Sequence, residues 1–133
     1  MISKSILLII ITLSFNSNSQ TIKTINKIES SYQNCLDKGD NMKGCSVEYY
    51  LQSDSLLNVV YKKLKLKLNS EEKSKLKKEQ LEWLKKRDKY FQKVYSETKK
   101  SDFIEGSDDF DMIVLDKKAE FVFERVKEFI NSL

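Results

Sequence analysis

An all-α fold is what this sequence predicts, and three observations predict it. Proline is absent and only three glycines occur in 133 residues, so the residues that punctuate strands and tight hairpins are scarce. Apolar side chains recur at intervals of three and four along four successive stretches. Hydrophobic residues make up 40% of the chain and charged ones 33%, enough to build one modest core inside a solvated shell. The expectation is a single small four-helix, bundle-like domain with a long antiparallel helical hairpin and one disulfide.

Residues 1–19 read as an address rather than as part of that domain. Lys4 precedes an apolar run from Ile6 to Ile11 that continues through Leu13 and Phe15 into Asn16-Ser17-Asn18-Ser19. A bilayer core about 30 Å thick needs about 20 apolar residues, and this run has about half of that, so a cleaved signal peptide is expected rather than a transmembrane anchor. The small residues Ser17 and Ser19 put the cut after Ser19, which leaves a helical domain over residues 20–133. The first cysteine is Cys35, too far along to be a lipid-bearing residue at a new N-terminus. The expected location is therefore periplasmic or secreted. In an oxidising compartment Cys35 and Cys45, ten residues apart across a turn-rich connector, are expected to pair. A redox-active thiol pair is the alternative, although the spacing is unlike C-x-x-C.

The first helix is expected over Thr21 to Lys38, with Ile22, Ile25, Ile28, Tyr32, Cys35 and Leu36 on one face and Gly39 as its left-handed cap. The second is expected to start at Ser46 as N-cap and to carry Val47, Tyr50, Leu51, Leu57, Tyr61, Leu64 and Leu68 on a stripe that also holds Asp54. Asn69 and Glu72, at capping-box spacing, open the third, whose stripe runs Leu76, Gln80, Trp83, Leu84, Arg87, Phe91, Val94 and Tyr95. The short link between helices two and three makes them an antiparallel hairpin. After a loop around Gly106 and Ser107, a fourth helix is expected to bury Met112, Leu115, Ala119, Val122, Val126, Phe129 and Leu133.

Charge is shared unevenly, with a net of −1 over residues 20–61, +9 over 62–100 and −5 over 101–133. The Lys-rich tip of the hairpin should carry a positive field that suits an anionic envelope polymer. Nucleic acid is not an expected partner, because export removes the chain from it and no aromatic-rich recognition motif is present. Asp102, Glu105, Asp108, Asp109 and Asp111 form the one acidic run. They lack the glycine and closing glutamate of an EF-hand, so no metal is expected there. Their plain role is to oppose the dipole of the fourth helix.

The absence of histidine excludes Ser-His-Asp and Cys-His catalysis and His-based zinc sites, and two cysteines cannot close a structural zinc site. A paired-carboxylate hydrolase needs two acids facing one cleft, and the stripes carry only one inward acid, Asp54. No catalytic residue, cofactor or metal is expected. Asp54, Gln80 and Arg87 sit on apolar stripes and need partners, so an Asp54–Arg87 salt bridge, or a network through Gln80 and Tyr61, is expected to join the hairpin.

The order Cys35, Cys45, Asp54-x2-Leu57-Asn58-x2-Tyr61, then Leu76-x3-Gln80-x2-Trp83-x3-Arg87-Asp88 resembles the LprI-like lysozyme-inhibitor family. The similarity is strongest over residues 32–95 and weaker over Glu105-Gly106-Ser107, Arg125 and Leu133. Where the family has a further cysteine pair, this chain has Phe91 and the region of Leu115, so the tail must dock by packing alone. Lipoprotein members of the family carry an N-terminal cysteine that this chain lacks. The resemblance implies an exported, non-enzymatic helical module, for some members a lysozyme inhibitor, with the motif residues serving the fold. Animal lysozymes are strongly basic, so the acidic run from Asp102 to Asp111 is the segment expected to face one.

Overall fold

The computed structural model describes residues 16–132. Residues 1–15, with the Lys4-led apolar run, and Leu133 lie outside the described residues. Four helices follow in order: α1 (Asn16–Asp37), α2 (Met42–Leu66), α3 (Ser70–Lys99) and α4 (Asp108–Asn131). Among the described residues there is no strand, and no helix is long and apolar enough to cross a membrane. The expected cut after Ser19 falls in the first turn of α1.

Local signals set the helix ends. Gly39 takes φ 70° and donates to Leu36 O, closing α1 as expected. The cap of α2 is Asn41, not Ser46. Asn41 adopts the left-handed conformation that its short polar side chain tolerates, and its Oδ1 accepts from Gly44 N at 3.2 Å. A Cβ on Gly44 would sit 2.2 Å from that capping side chain, so glycine is what lets the cap close. Asn69 and Glu72 form the full reciprocal capping box of α3, and Ser107 caps α4 through Phe110 N. Asp108, Asp109 and Asp111 occupy the first turn of α4, where the helix dipole favours them.

The packing is organised around α2 and α4, which run parallel. Lys43 meets Asp108 and Asp111 at one end, and Tyr61 meets Phe129 towards the other. α4 packs most extensively on α2, then on α3, while α1 lies chiefly against α2. Between α2 and α4 runs a seam of fully buried small or branched residues: Ser46, Ser53 and Val60 at heptad spacing on α2, and Ala119, Val122 and Val126 on α4. Their size allows the two backbones to approach closely. The second polypeptide link, Lys67-Leu68-Asn69, turns α3 antiparallel to α2, as expected, but the pair meet through long side chains such as Tyr50 and Phe91.

This arrangement corrects several expected stripes. Val47 and Leu51 are exposed, and Tyr49, Ser53, Leu56 and Val60 are buried instead, because the seam side of α2 is partly polar and shifts the apparent phase of its hydrophobic pattern. Ile22 is exposed while Ile25 is buried. On α4, Met112 and Leu115 are only half-buried, and Phe110, Val114, Phe123 and Ile130 join the core. Tyr95 is exposed at the edge of α3, its ring against the buried Phe110. A satellite cluster of Val94, Phe110 and Val114 fastens the end of α3 to the start of α4. The tail docks by packing alone, as expected without a second disulfide, and α4 is the helix that the other three all pack against.

Candidate functional site

The disulfide joins Cys35 at the end of α1 to Cys45 in the first turn of α2, with Cα atoms 5.8 Å apart. Closing so short a loop is worth about 2.5 to 3 kcal/mol in the chain-entropy model. Just inside it, Tyr32 makes a polar junction of three helices. Its hydroxyl donates to the carboxylate of Asp116 on α4 at 2.7 Å and lies 3.0 Å from Ser46 Oγ on α2. Because the phenol has one proton and the carboxylate takes it, Ser46 is the donor in the second bond. Burial, with the hydrogen bond to Asp116 adding, pushes the Tyr32 phenol up to about 12. Tyr49 stacks on Tyr32 at 4.3 Å between centroids, and burial pushes its phenol to about 12 as well.

The motif residues of α2 and α3 face one another across an open depression of about 360 Å³ lined by Asp54, Leu57, Asn58, Tyr61, Gln80 and Arg87. Leu57 is buried, Tyr61 packs on Phe129, and Asn58 is exposed. The expected Asp54–Arg87 salt bridge is not formed. Arg87 instead donates through Nε and Nη2 to its own neighbour Asp88, at 3.0 and 2.7 Å, and Gln80 turns towards α4. The physical reason is exposure: neither group is taken fully out of water, so no desolvation cost forces them together.

The most enclosed of the paired cations is Arg125, whose side chain is 13% exposed and whose pairing the sequence patterns missed. Its Nε donates to Gln80 Oε1 at 3.2 Å, and its Nη1 donates to Glu128 at 2.6 Å. The guanidinium lies 4.3 Å from the Phe129 ring centre and 5.8 Å from that of Trp83. Arg87 stands 5.9 Å from the same indole, and Phe121 stacks on it at 5.7 Å. Trp83 is therefore walled in and buried, a core residue rather than a free contact.

Beyond it, α3 and α4 enclose a groove of about 720 Å³ with Trp83 and Phe121 in its floor. Four glutamates reach this groove, Glu79 and Glu82 from α3 and Glu124 and Glu128 from α4, where the stripes offered only Asp54. Glu82, Glu124 and Glu128 each hold a cation, namely Lys85, Lys127 and Arg125. Lys85 holds the Glu82 carboxyl below the usual range, the opposite of what a general acid needs. Among the described residues no three ligating side chains converge on a metal position.

The acidic run is partly neutralised by its own fold. Lys43 lies 2.6 Å from Asp111 and 3.4 Å from Asp108, and these carboxylates, Asp111 foremost, raise its pKa. Glu105 is held by Lys99 at 2.8 Å and by the Tyr95 hydroxyl, which lower its pKa. Asp102 and Asp109 are exposed and make no ion pair among the described residues. This face therefore presents a fixed, net-negative end of the bundle, opposite the Lys-rich α2–α3 turn.

Comparison with curated proteins and with solved structures finds no match. Comparison with family models does: the model described as "Lysozyme inhibitor LprI" matches residues 33–129, from the disulfide staple through the capping box, the Trp83 cage and nearly all of α4. The chain belongs to the LprI family of lysozyme inhibitors.

Proposed function

We propose that this chain is an exported protein that binds a lysozyme and inhibits it by occupancy, without chemistry of its own. The observation that carries the reading is the family match over residues 33–129, which spans three of the four helices whole or nearly so and part of α1. The disulfide supports an oxidising compartment, and the apolar run behind Lys4 supports delivery to it by a cleaved leader, to the periplasm or beyond. The acidic end at Asp102, Asp108 and Asp109 has the sign that a basic enzyme requires. The test is a cell-wall lysis assay with lysozymes of several types, run with and without the purified chain. Inhibition of at least one type at near-stoichiometric concentration is expected, and an unchanged rate with every type refutes the reading. Mass measurement of the exported chain checks that it begins at Gln20.

A second reading is favoured by one specific feature. Lys62, Lys63, Lys65, Lys67, Lys73, Lys75, Lys77 and Lys78 crowd the α2–α3 end, and that end suits an anionic envelope polymer. Salt-sensitive binding to cell-wall material with no effect on any lysozyme would select it.

A further inference from the structure

Among the described residues, two apolar side chains stand out of the fold more than any others: Leu66 at the α2–α3 turn, 83% exposed, and Ile104 in the α3–α4 loop, 78% exposed. Phe103, next to Ile104, is 43% exposed. Other large apolar side chains, such as Leu51 and Leu81, are about half exposed on helix faces, but Phe103 and Ile104 are two adjacent exposed apolar side chains at one loop tip, a feature that helix packing does not require. The Ile104 tip is also held in place. Glu105 is gripped by Lys99 and by the Tyr95 hydroxyl, Ser107 N donates to Ile104 O at 2.9 Å, and Gly106 takes the positive φ of 81° that this tight turn needs. Below it the Tyr95 ring packs edge-on against Phe110, which is 1% exposed. The loop therefore loses little conformational freedom on binding.

We infer that Phe103 and Ile104 form a preorganised apolar wedge that enters the cleft of a basic protein partner, the lysozyme of the proposed function, with Asp102 and Asp109 meeting the basic rim. The inference rests on that reading and names the surface that carries it. Charge selects this tip over the other one: Leu66 stands among Lys62, Lys63, Lys65 and Lys67, whereas Phe103-Ile104 stand between Asp102 and Glu105 just ahead of the acidic first turn of α4, and among the described residues Asp102 and Asp109 have no cation paired to them. A convex, ordered, apolar tip ringed by negative charge complements a concave, positively rimmed site.

The experiment uses the full purified chain with its disulfide intact and a basic lysozyme that the wild type inhibits. Three forms are compared: wild type, the double variant Phe103→Ser/Ile104→Ser, and Leu66→Ser as a control for loss of an equally exposed apolar side chain. The double variant should raise the inhibition constant at least about tenfold, as removal of a central anchor does, with an unchanged thermal midpoint. The control should inhibit like wild type. A double variant as potent as wild type, or a control that alone loses potency, overturns the wedge and leaves the inhibitor reading standing. A wild-type chain that inhibits no lysozyme overturns the inhibitor reading and the wedge with it.

Discussion

Two side chains carry the polar half of this core, and both depend on partners far away in sequence. Tyr32 reaches across 84 residues to Asp116, and its phenol, like that of Tyr49, is pushed by burial from about 10 to about 12. In the unfolded chain these phenols release their protons near pH 10, while the fold holds them until about pH 12. The folded state therefore binds more protons across that window. The stability they contribute is complete below pH 10 and is lost as pH rises towards 12. Alkaline titration followed by circular dichroism and phenolate absorbance should show cooperative unfolding in that range. Tyr32→Phe should make the decline shallower and, by stranding Asp116 and Ser46, cost about 1–3 kcal/mol at neutral pH in urea melts. Arg125 invites a second test. Truncation to Ala removes the cover on Phe129 and Trp83 and the partner of Gln80, a loss of about 1–3 kcal/mol. Arg125→Lys should recover only part of it, because an ammonium cannot lie flat on Phe129 while donating to Gln80. Trp83 is the only tryptophan, so its fluorescence reads the same denaturation curve directly.

At the level of helices, the α2–α4 seam decides the architecture, and a substitution there should show it. Ala119 is fully buried between parallel helices lined by Ser46, Ser53 and Val60. Ala119→Leu forces the backbones apart and should cost about 1–3 kcal/mol, seen as a lower urea midpoint with helix content kept. Ser53→Ala, which gives up only a bond to Tyr50 O within its own helix, should be close to neutral. The same seam explains what the sequence made legible. Helix ends governed by neighbouring residues could be read directly, as at Gly39 and at Asn69 with Glu72. So could most of the stripe of α3, from Leu76 through Trp83 to Val94, although Tyr95 at its end is exposed. The phase of α2 could not, because its tightest contact is built from serines that a hydrophobic pattern counts as surface, and a capping asparagine in the left-handed region moved its N-cap five residues ahead of Ser46. In the site, the cysteine pair was legible from its spacing and from the oxidising compartment that the apolar leader run led one to expect. Arg87 was misassigned because a cation on an apolar stripe takes the nearest carboxylate, Asp88, when water still reaches both. The pairing of Arg125, a residue the family resemblance had named, was missed because its partners Gln80 and Trp83 lie on another helix.

For the molecule as a whole, the difficulty is that a chain of net charge +4 is proposed to bind a basic enzyme. Distance resolves it. α2 alone, 25 residues at 1.5 Å each, spans about 37 Å and separates the Lys-rich turn from the acidic end. The screening length at physiological ionic strength is about 8 Å, so a partner approaching one end is shielded from the other by several such lengths. What it meets at the α3–α4 loop is local: Asp102 and Glu105 beside Ile104, Asp108 and Asp109 in the first turn of α4, and Lys43 and Lys99 already paired with carboxylates, which leaves Lys100 as the exposed cation next to the loop. Net charge is then a poor guide to docking, and ionic strength discriminates between the two descriptions. If the acidic end steers the encounter, the association rate with a basic lysozyme should fall as salt is raised from about 0.05 to 0.3 M, while the dissociation rate, set by the buried apolar contact, changes little. If whole-molecule repulsion governs instead, the association rate should climb over the same range. Replacing Asp102 and Asp109 with Asn should flatten the fall, whereas replacing Lys63 and Lys65 with Ser should leave it in place, because those lysines lie beyond the reach of the screened field.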